Sequence, residues 1–224
     1  MNKRLHAIAN LVQNGKGLVD VGTDHGYLPA YLAVHGYPGA LYASDIHTEP
    51  LMAAKRTAEA AGVSERIRFL LCDGLALCPP EEIDTIVIAG MGGDLIVKIL
   101  DEAEWCMDTR YRLILQPMTK AEVLRYWLVN NGFALTAEHL VEDGGILYQI
   151  IVTAFGGSTR LCDAELFAGK QSLCAEKELY SRQLELLSRR FRRAIDGMRG
   201  KRGEARLALY QEIWAQLQEM RRKA

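Results

Sequence analysis

Three acidic residues stand where short apolar runs end: Asp20, Asp45 and Asp73. Around the first, the chain reads Leu18-Val19-Asp20-Val21-Gly22-Thr23-Asp24-His25-Gly26-Tyr27-Leu28-Pro29. That is an apolar run, a tight turn with two glycines, and a helical pattern from Tyr27. Strand, glycine turn and helix N-terminus together form a cradle for a nucleotide-like cofactor, because glycine lets the backbone approach and the first-turn N–H groups face the ligand. Asp20, Gly22, His25 and Gly26 are therefore candidate cofactor contacts. Asp45, with Ile46 beside it, can accept hydrogen bonds from both ribose hydroxyls of a bound adenosine; alone, it also reads as an acid favoured at a helix N-terminus. Asp73 can accept from an adenine amino group, with the backbone of Cys72 and Gly74 nearby; a plain turn is the alternative.

The loop departs from the dinucleotide fingerprint, which would need glycines at positions 24 and 27, where the chain has Asp24 and Tyr27. A looser pattern, acidic-x-Gly-x-Gly-x-Gly, fits Asp20, Gly22 and Gly26, with Asp24 in place of the middle glycine. A carboxylate opposes a pyrophosphate and favours a cation. S-adenosylmethionine carries a sulfonium and an ammonium, so these residues favour it over a nicotinamide dinucleotide. Asp24 is then both a cofactor contact and a candidate for stabilising charge during reaction. The competing account is a structural strand-to-helix turn.

Ile88-Ala89-Gly90-Met91-Gly92-Gly93 closes a fourth apolar run, where many amino-group methyltransferases carry Asn/Asp-Pro-Pro-aromatic. The glycines allow a substrate base to approach, with backbone near Ala89 and Gly90 gripping its edge and Met91 packed on base or cofactor. Leu115-Gln116-Pro117-Met118 ends a fifth run at the same edge of the sheet, where ligands bind in such folds. Gln116 and Pro117 are substrate candidates, or merely a capped strand end. Tyr27 is the candidate for stacking on a substrate base; it also reads as a helix residue packed on the sheet. His25 orients the loop and is not read as a general base.

The elements that must position these residues alternate. A short amphipathic helix covers residues 3–13. Strands are expected at Gly17–Val21, Ala40–Ser44, Ile67–Leu71, Thr85–Ala89 and Leu113–Gln116, with helices at Tyr27–Val34, Glu49–Ala61, Asp94–Glu104 and Lys120–Asn131. Such alternation implies right-handed β-α-β units and a parallel sheet. Phe133–Val141 and Ile146–Phe155 then form a hairpin across Glu142-Asp143-Gly144-Gly145. A parallel sheet finished by an antiparallel hairpin is the α/β, Rossmann-like architecture of class I S-adenosylmethionine-dependent methyltransferases. Gly156-Gly157-Ser158 reads as a hinge that separates a cofactor domain, residues 1–157, from a helical unit, residues 158–224. In the latter, Leu166, Leu173, Tyr180 and Leu187 repeat every seven residues, with Leu184 and Phe191 as a second row. After a glycine-rich turn, Leu207, Tyr210, Trp214 and Leu217 mark another apolar face, so an antiparallel coiled-coil hairpin is expected to protrude. Ordinary helices packed on the body are the alternative.

Composition sets outer bounds. The chain has 224 residues, 49% of them hydrophobic, enough for one sizeable domain and an appendage. Charge is uneven: residues 1–155 hold 12 Lys+Arg and 19 Asp+Glu, residues 156–224 hold 15 and 9. A basic tail on an acidic body suits an anionic partner, or simply a solvated helical face. Five cysteines without a C-x-x-C pair argue against a disulfide framework or zinc site and fit a reducing cytoplasm. Neither a signal peptide nor a membrane span is expected.

Taken together, these motifs resemble the bacterial tRNA adenine-22 N1-methyltransferase family, TrmK, over essentially the whole chain. The resemblance rests on Lys3-Arg4-Leu5, the Asp20–Pro29 loop, Ser44-Asp45, Cys72-Asp73-Gly74, Ala89-Gly90-Met91-Gly92-Gly93, Gln116-Pro117 and the helical tail. The family usually has Ala where this chain has Gly26, a small change, and often Asn where it has Met118, which leaves position 118 without an assigned role. The resemblance implies S-adenosylmethionine as methyl donor and N1-methyladenosine in the D-arm region of tRNA as product. The N1 lone pair would attack the sulfonium methyl directly, with Asp24, Tyr27 and Gly90 as the catalytic group. Arg189, Arg190 and Arg193, with Lys201 and Arg202, would contact tRNA phosphates, and Lys3 and Arg4 would add a patch near the site. A cytoplasmic monomer without metal is expected. A methyltransferase of small molecules or proteins, with the tail as a dimerisation hairpin, and a non-catalytic RNA-binding module are the alternatives.

Overall fold

Every residue of Gly17–Val21 is buried, as a strand covered on both faces requires. The computed structural model describes residues 1–198 and 204–223. Its elements are α1 (Lys3–Leu11), β1 (Gly17–Val21), α2 (Tyr27–Val34), β2 (Ala40–Asp45), α3 (Thr48–Ala60), β3 (Ile67–Leu71), β4 (Thr85–Gly92), α4 (Gly93–Asp101), β5 (Arg112–Thr119), α5 (Ala121–Asn130), β6 (Phe133–Asp143), β7 (Ile146–Phe155), α6 (Asp163–Ala168), α7 (Lys177–Met198) and α8 (Glu204–Lys223). One sheet runs β3-β2-β1-β4-β5-β7-β6. β1 to β5 pair in parallel, while β7 is antiparallel to both β5 and β6. This is the Rossmann-like class I methyltransferase sheet.

Strand alternation splits the core in two. Val19, Ile86, Ile88 and Leu113 pack with Ile96, Leu100, Leu124 and Leu128 of α4 and α5. Leu18, Leu41, Val87 and Ile114 pack on the other face with Ile8, Leu28 and Ala58 of α1, α2 and α3. The chain winds outward from β1 to β3 and then returns to β4 on the opposite side. The crevice at the carboxyl ends of β1 and β4 is thus a topological switch point, the ligand position of such sheets. Gly144 and Gly145, at φ 58° and 80°, form the left-handed pair of the β6–β7 turn.

Two details differ from the sequence expectation. β4 and β5 run past Ala89 and Gln116, because the register steps from Ala89↔Gln116 to Met91↔Pro117 and leaves Gly90 as a bulge at φ 83°. Periodicity alone cannot show a strand that continues beyond an extra residue. Second, the heptad row from Leu166 to Leu187 does not lie on one helix. Gly169, at φ 85°, ends α6; Leu173 sits in a single 3-10 turn, Gln171–Leu173; and Cys174 bridges to Glu138 of β6. Only Tyr180, Leu184, Leu187 and Phe191 share α7, where they are buried with Ile213 and Leu217 of α8. Leu140 of β6 joins the same cluster and Leu147 of β7 packs against it, so the root of the helical pair rests on the sheet's hairpin.

A buried ion pair fastens that joint. Arg125 is 0% exposed and Glu138 4%. Arg125 donates from Nη2 to Glu138 Oε2 at 2.5 Å, from Nε to Oε1 at 3.3 Å, from Nη2 to Gln149 Oε1 at 2.8 Å and from Nη1 to the Leu166 carbonyl at 2.8 Å. The Lys170 N–H adds a bond to Glu138 Oε1 at 3.1 Å. One pair thus binds α5, β6, β7 and the α6 segment. No helix among the described residues is long and apolar enough to cross a membrane.

Candidate functional site

The Asp20 loop is held by its neighbour strand. The N–H groups of Gly22 and Thr23 both donate to the Ser44 carbonyl, at 2.8 and 3.0 Å, and the Gly26 N–H closes the turn on the Thr23 carbonyl at 2.9 Å. Gly22, Asp24 and Gly26 all take the left-handed conformation, at φ 68°, 51° and 66°. For Asp24 this is a strained state that the surrounding turn imposes. A Cβ on Gly22 would overlap the Met91 methyl, so glycine lets Met91 close over the loop. At Gly26 an added Cβ would stand 2.7 Å from the Ala54 Cβ of α3. The alanine usual at that position would meet both the left-handed φ and the nearness of α3 in this chain.

Eight of the twelve predicted cofactor residues, Gly22, Asp24, Asp45, Ile46, Cys72, Asp73, Gly74 and Met91, line one cleft of about 450 Å³, with Leu95, Lys98 and Ile99 of α4 completing a wall that sequence reading did not assign. Asp20, His25 and Ala89 line a different cleft, and Gly26 lines neither because it is used in the turn against α3. Asp45 is 8% exposed. Its Oδ1 accepts from the His47 N–H at 2.9 Å, and Oδ2 has no partner among the described residues. Ser44 Oγ donates to the Gly74 carbonyl at 3.0 Å and fixes the turn after β3. Asp73 is exposed at the cleft's rim.

A second cleft of about 190 Å³ opens on the other side of the loop, lined by Arg4, Asp20, Gly22, Thr23, Asp24, His25, Tyr27, Ala89 and Gly90, with Leu5 and Leu28. Gly22 and Asp24 belong to both clefts. Asp20 lies at the inner end, 6% exposed, and its Oδ2 accepts from Thr23 Oγ1 at 2.7 Å. Burial pushes its carboxyl up to about 7; the Thr23 hydroxyl and the nearby Arg4 cation draw it partly back, and Asp45 opposes them. Tyr27 is 46% exposed and stacks on His25, ring centroids 5.3 Å apart.

Arg4 and Gln116, distant in sequence, meet here. Gln116 is wholly buried; its Oε1 accepts from Arg4 Nη1 at 2.5 Å and from the Gly90 N–H at 3.1 Å. Its Nε2 donates to the Pro117 carbonyl at 3.0 Å and lies 3.6 Å from Met118 Sδ. Gln116 therefore acts on the site by holding the Gly90 bulge and Arg4, and Met118 gains a contact that its lone substitution did not suggest. Pro117 is buried at the end of β5. Lys3 is exposed beside Glu142, away from both clefts. Arg189 pairs with Glu185 at 2.5 Å along α7, and Arg190 and Arg193 are exposed there. Lys201 and Arg202 lie outside the described residues. The link from Arg4 to Gln116 had no signal in local sequence, since it joins the N-terminal helix to β5.

Comparison with known proteins agrees with this layout. Residues 1–151 match the family model described as a methyltransferase domain. The chain is 36% identical over 156 residues to the tRNA (adenine(22)-N(1))-methyltransferase of Bacillus subtilis, covering 70% of this chain and 66%, just under two thirds, of that one. A Streptococcus pneumoniae protein solved in complex with S-adenosyl-L-methionine superposes with a TM-score of 0.84 at 30% identity, over 99% of both chains. TrmK of M. capricolum, solved with S-adenosyl-homocysteine, superposes with a TM-score of 0.82 at 25% identity, over 98% of this chain and 97% of that one. The chain belongs to the methyltransferase-domain family and, within it, to the bacterial tRNA (adenine-22-N1)-methyltransferases.

Proposed function

We propose that this protein transfers the methyl group of S-adenosylmethionine to N1 of adenine-22 in tRNA. The observation that supports it most is the pair of clefts that share Gly22 and Asp24. One has the acidic strand tips and apolar wall that an adenosine needs. The other joins it at the loop and opens beside Gly90 and Tyr27.

The residues fit the donor. Asp45 offers an uncommitted carboxylate oxygen to a ribose, and Asp73, Cys72 and Gly74 edge the place for adenine. The glycine at 22 leaves room that a side chain would fill. Asp20 and Arg4, a carboxylate and a guanidinium in the smaller cleft, suit an amino acid's ammonium and carboxylate. When bound, S-adenosylmethionine supplies a methyl group activated by a sulfonium.

Adenine N1 brings its own lone pair, so no side chain has to remove a proton before transfer. The N–C bond forms as the S–C bond breaks, and positive charge passes from sulfur to the ring. The chain's task is placement, which contributes several kcal/mol to such reactions. Asp24 and the carbonyls near Gly90 lie where they can stabilise the cationic ring. The adenosine must leave its stack, at a cost of a few kcal/mol, and exposed Tyr27 offers a replacement surface. Residues 1–157 are the cofactor unit in this proposal and 158–224 the tRNA-binding unit, with the α6 segment as their fixed joint. Arg189, Arg190 and Arg193 meet phosphates, and the protein works in the cytoplasm as a monomer without metal.

Incubation with labelled donor and a tRNA transcript, followed by nucleoside digestion, should yield N1-methyladenosine. A transcript with guanosine at position 22 should yield none. Label in any other nucleoside, or none in tRNA, overturns the assignment.

A further inference from the structure

A third cleft, of about 170 Å³, lies between the tip of β5, the start of β7 and α7. Nothing in the cofactor site accounts for it. Pro117 and Met118, which border Gln116, line its inner side; Tyr148 lines it from β7, and Arg190 from α7. Its charged lining is completed by Lys120 and Glu122. Lys120 is paired with Asp94, whereas Arg190 has no carboxylate partner among the described residues. The cleft thus combines an aromatic ring, an exposed thioether at Met118 and an unpaired cation. It is linked to the target site through one side chain. The Arg4 guanidinium lies over the Tyr148 ring, 5.7 Å from its centroid, while Arg4 Nη1 bonds Gln116, the residue that holds the Gly90 bulge.

We infer that this cleft is a subsite for the nucleotide next to the target adenosine, with its base against Tyr148 and Met118 and its phosphate on Arg190. This rests on the proposed action on tRNA. The chemistry is that of single-stranded nucleic-acid recognition, in which a ring supplies a stacking platform for any base and an unpaired guanidinium meets the backbone. Extruding one nucleotide splays its neighbour, and a second platform on β7, with β4 and β5 between it and β1, receives it. Arg4, in contact with both Tyr148 and Gln116, couples occupancy of the subsite to the geometry at Gly90.

The test is a cycle between protein and RNA. The full-length wild type and its Tyr148→Ala and Tyr148→Phe variants are assayed on tRNA with adenosine-22 intact and an abasic residue on its 5′ or its 3′ side. Tyr148→Ala should raise KM for intact tRNA about tenfold, as expected for one lost stack. Tyr148→Phe, which keeps the ring under Arg4, should restore it and leave the affinity for S-adenosylmethionine at the wild-type value. On the abasic tRNA of one side, wild type should fall to the level of Tyr148→Ala, and the two losses should not add. Arg190→Ala should weaken binding of intact and abasic tRNA alike and lower the salt dependence. Methylation of intact tRNA by wild type, with losses that add on both sides, overturns the subsite alone. Absence of that methylation overturns the parent assignment and the subsite with it.

Discussion

Asp20 and Glu138 are both buried carboxylates, 6% and 4% exposed, yet their surroundings differ. Glu138 is gripped by Arg125 through both oxygens and receives a backbone N–H as well. Asp20 has one hydroxyl and no cation within bonding distance, and burial lifts its carboxyl to about 7. The first carboxylate is satisfied by the protein itself and serves as a joint. The second is left partly unsatisfied at the inner end of a cleft, where a cationic ligand can complete it. A buried acid that the fold does not neutralise marks the site; one that it does neutralise marks the scaffold.

The largest effect should come from the joint. Arg125→Met leaves Glu138 charged and unpaired, and stability to urea should drop by about 3–5 kcal/mol. A loss well under 1 kcal/mol would mean the pair is not what holds α6 to the sheet. Asp45→Ala should cost about 1.5–3 kcal/mol of S-adenosylmethionine affinity by calorimetry, the worth of charge-assisted hydrogen bonds, with little change in stability. Unchanged affinity there would remove the ribose role.

Asp20 sharpens the contrast through pH. Its folded value is raised, so between about pH 4 and about 7 the native state holds a proton that the unfolded chain has released. Its contribution to stability is full at low pH and is lost as pH rises through 7. Donor affinity should move the opposite way, rising about tenfold from pH 6 to pH 8 as the carboxylate forms. Asp20→Asn should flatten both curves; curves that keep their slopes would place the titration elsewhere. The smallest effect is expected at Gly26→Ala, about 1 kcal/mol of stability, from the left-handed φ and the nearness of Ala54. A neutral or stabilising result would show that α3 yields readily.

Much of the site was legible in the chain. Acidic residues at or just past the strand tips, Asp20, Asp45 and Asp73, and glycines at most of the left-handed turns, leave marks at fixed spacing. The hairpin at Gly144-Gly145 was equally plain. The tail was less so: a seven-residue repeat continued through Leu166 and Leu173 although Gly169 breaks the helix between them. Neither leucine joins the α7–α8 cluster: both are half-buried, and Leu173 packs against the core on the α4–α5 face of the sheet. Sequence puts Arg4 with Lys3 in a patch near the site, and only the packing of α1 on the sheet separates the two and turns Arg4 toward Gln116.

The sequence by itself determined the order of strands and helices, the acidic strand tips, the methyl-donor class and the family. Local propensity and side-chain periodicity set the elements, the chemistry of the Asp20–Pro29 loop favours the donor class, and the resemblance of the motifs carries the family; all are properties of residues near one another in the chain. The tertiary structure decided which distant groups touch: Arg4 with Gln116 and Tyr148, Arg125 with Glu138, and the bulge that aims Gly90 at the cleft. Those contacts depend on register between strands and on how helices seat over them, which the fold fixes only when the whole core is assembled.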